Sequence, residues 1–379
     1  MKKKGKPRLL ILYASAGAGH KQAAFALKKV CDETQSAVAE AVDILDYTPA
    51  YFKKFYTGSY LEIVKRIPEL WGYLYGRLYK HQGPSLSSRL HHVIGNLHIA
   101  PLLNYVKDFK PDAVVFTHFL GSGAVEKLRL RKLLNVPFYC VITDYAIHSF
   151  WINKDINKYY VCTEGEKRIL KRHGLKANQI EHTGIPVSPE FSKKYNKAVL
   201  RRKLKLDAKL PTVLMISGRF NLKGYEQLLA SFKDVKQKMQ LVVLAGNNRL
   251  LTQKLTSIAK GLKNMRFKIY GMVDNMHELM AASDIVISKP GGLTTSEVLA
   301  SNALMAVIDP IPGQEQRNSD YLLESGVAIR IHDMENGGLK IADLLTNQRR
   351  LSIMRKHLKW VSRPKAAYNI VQDIVSELK

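Results

Sequence analysis

Short uninterrupted apolar runs recur along the chain, separated by stretches whose apolar positions repeat every three to four residues. That pattern predicts buried strands alternating with amphipathic helices. The first run is Arg8 to Ala14; a glycine turn follows, and Ala23, Ala24, Leu27 and Val30 then keep the helical period. Further strands are expected at Val38 to Val42, Ala113 to Phe116, Phe138 to Ile142 and around Lys158 to Cys162. The second half keeps the same rhythm at Thr212 to Ile216, Gln240 to Ala245, Arg266 to Ile269, Asp284 to Ile287, Leu304 to Ile308 and Val327 to Ile331. Strands alternating with helices imply an α/β fold with doubly wound parallel sheets, each holding its ligand crevice at the carboxyl ends of the strands. Two prolines and a glycine interrupt the periodicity in Gly184-Ile-Pro-Val-Ser-Pro189, which marks the junction between two domains. The expected division is 1–187, 188–355 and a C-terminal helix within 356–379 that packs back on the N-terminal domain.

Residues 46–110 break this rhythm and read as an insertion, since αβ loops ordinarily run ~2–6 residues. Tyr51, Phe52, Phe55, Tyr56 and Tyr60 are interleaved with Lys53 and Lys54. Ile67, Leu70, Trp71, Leu74, Tyr75 and Leu78 then trace one helical face beside Lys65, Arg66, Arg77 and Lys80. Two readings fit the pattern. One is a helix packing on the N-terminal core. The other is an interfacial membrane anchor, with rings at headgroup level and lysines on anionic lipid.

Charge sharpens the choice of partner. The 379 residues hold 59 Lys plus Arg against 32 Asp plus Glu, a net charge of +27. Such a chain associates with a polyanion: nucleic acid, an anionic membrane or a phosphorylated substrate. Cys31, Cys140 and Cys162 are too scattered for a disulfide framework or a zinc site and read as apolar fillers in a reducing cytoplasm. Met1-Lys-Lys-Lys followed by Leu9 to Ala14 imitates a signal peptide, but the apolar run is short and passes straight into a glycine turn. No apolar stretch reaches the ~18–20 residues needed to span a bilayer. A membrane partner would therefore be bound at its surface.

Three loops carry candidate chemistry. In Ser15-Ala-Gly17-Ala-Gly19-His20-Lys21, glycines between a strand and a helix let backbone N–H groups approach an anion. Gln22 stands where a dinucleotide fingerprint has its third glycine. His20, on the first helical turn at the crevice mouth, suits a general base; it can equally be a capping or exposed histidine. In Ser288-Lys-Pro-Gly291-Gly292-Leu-Thr294-Thr295-Ser296-Glu297, Gly291, Gly292 and the N–H groups near Thr294 form an anion nest. Glu297 can accept both hydroxyls of a ribose, or cap the helix opposite Thr294 or Thr295. In Asp309 to Asn318 a rigid Pro-Gly loop presents Gln314 and Glu315 to sugar hydroxyls. Two such loops at consecutive strand ends define a nucleotide-sugar crevice.

Gly17-Ala-Gly19-His20, the stretch Asp144-Tyr-Ala-Ile-His148-Ser-Phe-Trp151, Lys289-Pro-Gly-Gly-Leu-Thr294 with Glu297, and Pro312-Gly-Gln-Glu315 through Asn318 resemble the monogalactosyldiacylglycerol synthase and processive diacylglycerol glucosyltransferase family. These are GT-B glycosyltransferases, related to the lipid-linked N-acetylglucosaminyltransferase of peptidoglycan synthesis. The resemblance runs from Leu9 to about Ile331, and Ala18 replaces the family's third consecutive glycine before the histidine. It implies two Rossmann-like domains facing each other, and inverting, metal-independent transfer of a hexose from a UDP-sugar to diacylglycerol. The form of the Lys289 motif leans towards glucose over galactose. His20 matches the proposed base, and Asp144 can orient or charge-stabilise that imidazole as a His-Asp pair. Gly19, His118, His148 and Trp151 match the acceptor side. Ser217, Gly218 and Phe220 match the loop facing the phosphates, and Gly271, Met272 and Val273 the segment whose backbone contacts uracil. Glu297 matches the ribose position, and Gln314 with Glu315 the hexose hydroxyls.

No Asp-x-Asp pair occupies a plausible donor loop, so no metal and no cofactor are expected. Helix N-termini at Gly218 and Gly291-Gly292, with Arg219 and Lys289, would stabilise the leaving UDP. A lipid substrate turns the reading of the 46–110 insertion towards docking on an anionic membrane from the cytoplasmic side, peripheral on the inner face of the cell membrane. Three rivals remain. One is the peptidoglycan N-acetylglucosaminyltransferase, and another a basic nucleic-acid-binding module, which the spread of the basic residues disfavours. The third is an NAD-dependent enzyme with Asp43 on the ribose, which Gln22 disfavours.

Overall fold

The computed structural model describes residues 5–15, 17–54, 56, 100–121, 134–217 and 222–379. Their strands are β1 Arg8–Tyr13, β2 Val38–Asp43, β3 Ala113–Phe116, β4 Phe138–Val141, β5 Lys158–Val161, β6 Ile180–His182, β7 Thr212–Ile216, β8 Met239–Leu244, β9 Met265–Tyr270, β10 Ile285–Ser288, β11 Leu304–Ile308 and β12 Ala328–Ile331. They form two six-stranded sheets, ordered β2-β1-β3-β4-β5-β6 and β12-β11-β10-β7-β8-β9. Each strand pairing is parallel. Strand order reverses between β1 and β3 and between β7 and β10. Those reversals open the crevices in which α/β sheets bind ligands.

Among the helices, five position the site or join the halves: α1 Ala18–Thr34 after β1, α2 Gly292–Ala300 after β10, α3 Gln314–Glu324 after β11, and then α4 Gln348–Val361 and α5 Ala366–Glu377. The first run of apolar residues explains its own placement. Leu9 and Ile11 point to one side of the sheet, into a cluster with Leu27 and Val30 of α1 and Ile370 and Ile374 of α5. Leu10 and Leu12 point to the other, against Leu102, Val106 and Trp151. A strand covered on both faces has no need to alternate polar with apolar, and each buried leucine contributes about 1.5–3 kcal/mol.

The polypeptide returns to its first sheet after completing the second. Tyr160 donates to Asp373 at 2.7 Å, Tyr139 to Glu377 at 2.9 Å, and Lys158 Nζ lies 2.6 Å from Asp373. These bonds fix α5 beside α1 and tie the two domains through the chain itself.

The pattern of apolar runs does not anticipate β6. It has three residues, only Ile180 is buried, and the polar Glu181 and His182 follow it at the edge of the sheet. Cys31, Cys140 and Cys162 are all buried thiols. Within the 46–110 segment, residues 55 and 57–99 lie outside the described residues, and with them the helical face from Ile67 to Leu78. Gly218, Arg219 and Phe220 lie outside them as well.

Candidate active site

One half of the site is built where β1, β3 and β4 end. His20 is the third residue of α1, Thr117 follows β3 and Thr143 follows β4, so three adjacent parallel strands deliver them to one place. The Nδ1 of His20 lies 3.0 Å from the Thr117 carbonyl and 2.7 Å from Thr143 Oγ1. Thr117 Oγ1 in turn donates to the His20 carbonyl at 2.9 Å. The imidazole is partly exposed at the crevice, but the atoms packed around it push its pKa down to about 4, against the pull of the Thr117 carbonyl. It is a neutral imidazole at pH 7.

Around it stands a wall of rings. His118 meets His20 edge-on with centroids 4.4 Å apart, Phe119 lies 4.2 Å from His118, and Trp151 lies 6.4 Å from both histidines. Phe119 also meets Trp151 at 5.8 Å and His148 at 5.2 Å. Tyr56, at the start of the insertion, stands edge-on to His118 at 6.3 Å. His118 Nδ1 accepts the Leu120 N–H at 3.1 Å, which puts its hydrogen on Nε2. Burial drives His148 down to about 3 and His118 well below the ordinary range, each neighbouring imidazole adding to the effect. His20, His118, His148 and Trp151 thus stand together, with Gly19 preceding His20 on α1. Among the described residues the cluster they form is aromatic, with its imidazoles held neutral.

The other half lies at the ends of β10 and β11. Gly291 caps α2 with no side-chain bond, so Thr294 and Thr295 sit inside the helix rather than at its cap. The capping-box alternative for Glu297 is thereby removed. Its carboxyl makes no hydrogen bond among the described residues and is pushed up to about 8 by desolvation. Gly313 precedes α3 at φ 95, a left-handed conformation that glycine adopts without a Cβ clash. Glu315 then turns back to accept the Ile311 N–H at 2.8 Å, closing the Pro-Gly loop. Lys289 and Asp309, one from each loop, pair at 3.1 Å.

The two halves touch. The amide of Gln314 donates to Asp144, and burial pushes that carboxyl up to about 6 against this bond, with Glu315 adding to the rise. Tyr145 N–H donates to Asn318 Oδ1 at 3.0 Å while Asn318 Nδ2 donates to the Pro290 carbonyl at 3.0 Å. Tyr145 also meets Ser296 Oγ at 2.8 Å and stacks on Tyr321 at 4.7 Å. Gly292 lies so close to the first domain that an added Cβ would stand 2.2 Å from the Thr143 carbonyl oxygen. Only glycine fits there.

The expected pair between Asp144 and His20 is not formed. Asp144 faces the opposite domain and spends its carboxylate on Gln314, while His20 is held by two threonines. Ser217 makes its bonds to the neighbouring strand, at 2.6 Å from Oγ to the Leu244 carbonyl. Gly271, Met272 and Val273 follow β9, with Met272 71% exposed. Thr117, Thr143, Tyr145 and Ser296 were not singled out from the sequence. Tyr145 sat inside the Asp144-to-Trp151 motif, and Ser296 inside the Gly291-to-Glu297 loop.

Comparison with known proteins agrees with this geometry. Residues 20–187 match the monogalactosyldiacylglycerol (MGDG) synthase family, and residues 196–360 match the glycosyl transferases group 1 family. A processive diacylglycerol beta-glucosyltransferase of Bacillus cereus (strain AH187) is 31% identical over 98% of this chain and 94% of its own. That of Bacillus mycoides (strain KBAB4) is 30% identical over the same shares. Among solved structures, MurG of Acinetobacter baumannii superposes with a TM-score of 0.62 over 98% of this chain and 99% of its own, at 14% identity, a likeness of fold. Two facing parallel α/β domains, with identity of this extent along the whole chain, place it in a family: the chain belongs to the processive diacylglycerol glucosyltransferases and is a glycosyltransferase of GT-B architecture.

Proposed function

We propose that the protein transfers glucose from UDP-glucose to the free hydroxyl of diacylglycerol, with inversion at the anomeric carbon and without a metal ion, at the cytoplasmic surface of an anionic membrane. The observation that carries this reading is the placement of His20: a neutral imidazole among aromatic rings, bonded to Thr143, whose carbonyl oxygen lies against Gly292 at the start of α2. The acceptor oxygen attacks the anomeric carbon, the bond from that carbon to UDP breaks, and the hydroxyl proton passes to His20 Nε2. UDP departs with the bonding pair, and its growing charge falls on the N–H groups at the start of α2. Glu297 and Gln314 offer hydrogen-bond partners for ribose and hexose hydroxyls.

Glucose is favoured by the names of the Bacillus relatives, and their beta product from an alpha-linked donor corresponds to inversion. Membrane attachment is supported by α4, which contains Arg349, Arg350, Arg355, Lys356 and Lys359 with no acidic residue, and by Trp360, 72% exposed in its last turn. An exposed indole among cations is suited to a bilayer interface. No helix among the described residues is long and apolar enough to cross a membrane.

The test is a product assay with diacylglycerol in anionic vesicles, supplied with UDP-glucose, UDP-galactose or UDP-N-acetylglucosamine, with and without EDTA. A beta-glucosyl lipid, formed equally in EDTA, is expected. Turnover only with UDP-N-acetylglucosamine and a lipid-pyrophosphate acceptor would replace the reading, and loss in EDTA restored by Mn²⁺ would overturn its metal-free part.

A further inference from the structure

The catalytic histidine lacks the carboxylate partner its sequence suggested, and the bonds it does make define a different device. A carbonyl oxygen only accepts, so the 3.0 Å contact from His20 Nδ1 to Thr117 O requires the hydrogen to be on Nδ1. Thr143 Oγ1, 2.7 Å from the same nitrogen, shares that hydrogen as a second acceptor. Its own hydroxyl hydrogen then goes to the Thr117 carbonyl at 3.4 Å. With every hydrogen in this triangle assigned, Nε2 is left as a bare lone pair. Two neutral oxygens do for tautomer and ring orientation what an aspartate does in a His-Asp pair, without adding a charge to the pocket.

Thr143 is also the residue on which the donor loop rests. Its carbonyl oxygen lies under Gly292, and the next residue, Asp144, accepts from Gln314. Its side chain faces the base while its backbone and its neighbour face the donor domain.

We infer that Thr143 is the positioning residue of His20: its hydroxyl holds the ring against the Thr117 carbonyl, and that carbonyl fixes the base-ready tautomer. The inference rests on the transferase reading for the role of His20, but its geometry is open to a separate measurement. Nitrogen-15 NMR of the histidine rings distinguishes the two tautomers with no turnover involved. In the wild-type protein His20 is expected as the Nδ1–H form, and in Thr143→Val as a mixture of both. Thr143→Ser, which keeps the hydroxyl, is expected to restore the single form.

Kinetics supply the second readout. Thr143→Val is expected to lower kcat about tenfold with KM for the UDP-sugar within about twofold, and Thr143→Ser to recover most of the rate. A wild-type His20 in the Nε2–H form overturns the inference whatever the activity. A Thr143→Val enzyme with unchanged kcat beside an inactive His20→Ala enzyme overturns it while leaving the transferase reading intact. Absence of glycosyl transfer by the wild type, with the Nδ1–H tautomer present, overturns the transferase reading and leaves the positioning geometry standing.

Discussion

The half of the crevice around His20 and the half at the start of α2 and α3 are built from opposite materials. Around His20 the first domain gathers His118, His148, Phe119 and Trp151, rings without charge because burial holds every imidazole neutral. Across from them the second domain offers the backbone N–H groups that open α2 and α3, with Glu297 one turn inside α2 and Gln314 and Glu315 on the first turn of α3. In the proposed reaction one half accepts a proton and the other receives a charge. A base whose pKa is pushed to about 4 is too weak to ionise an alcohol beforehand. It takes the proton as the acceptor oxygen bonds to carbon and becomes acidic, so transfer waits on departure of the nucleotide. On that reading the chemistry of each half depends on the other, and Thr143 and Asp144 are where the two halves touch.

The division breaks most visibly at the base. His20→Ala should lower kcat by ~10²–10⁴-fold, the range for loss of a general base. UDP affinity, read by calorimetry, should stay within about twofold, since no donor group is touched. Equal losses in both quantities would mean that the halves are not separable.

A methyl at the seam comes next. Gly292→Ala places a Cβ against the Thr143 carbonyl, and backbone on both sides must give way. Displacing the base by about 1 Å is enough to cost ~10²-fold in rate. The expected result is a kcat loss of that order with a smaller loss in UDP affinity. A variant as fast as wild type would show that closure brings the two loops no nearer than a methyl's width.

Titration sharpens the same contrast. An ordinary histidine, with a pKa near 6.5, would lose about 30-fold of its neutral form by pH 5. His20, lowered to about 4 by burial, stays neutral there, so its acid limb in kcat/KM should lie near pH 4. Asp144, raised to about 6, takes up its proton first, and Asp144→Asn should remove any inflection near pH 6 while leaving the lower one. The linkage signs differ too. The unfolded chain protonates histidine first, so stability contributed by neutral His20 is lost as pH falls from about 6.5 towards 4. Asp144 is protonated more readily when folded, and its contribution is lost as pH rises through about 6. An acid limb near 6.5 in Asp144→Asn would show a cluster open to water.

Most strands were legible because parallel strands buried on both faces leave long apolar runs such as Leu9 to Leu12. β6 was not, because a three-residue edge carrying Glu181 and His182 leaves none. Residue types at the site were legible for a similar reason: glycines, a histidine and paired polar side chains at strand ends have few other uses. Partners were not. Asp144 looked like the natural neighbour of His20, but a carboxylate's partner is decided by which surface approaches it. Here that surface is α3 of the other domain, 170 residues further along. Thr143 escaped notice because a threonine ending a strand is ordinary β chemistry. Only the fold reveals that its hydroxyl meets an imidazole 123 residues away.

The smallest effect is expected outside both halves. Trp360 stacks on His357 with centroids 5.6 Å apart and is 72% exposed, and α4 also carries Lys356 and Lys359. If this face rests on lipid, each cation near an anionic surface contributes about 1 kcal/mol, and the indole adds interfacial burial. Trp360→Ala leaves the charge untouched and should weaken co-sedimentation with anionic vesicles by only about three- to tenfold. Lys356→Glu with Lys359→Glu reverses four units of charge and should weaken it further, in a salt-dependent way. UDP affinity should be unchanged in both, because α4 contributes no residue to either half of the crevice. Unaltered vesicle binding in the charge-reversed protein would assign lipid attachment to the first domain alone, and make the contrast between the halves one of membrane contact as well as chemistry.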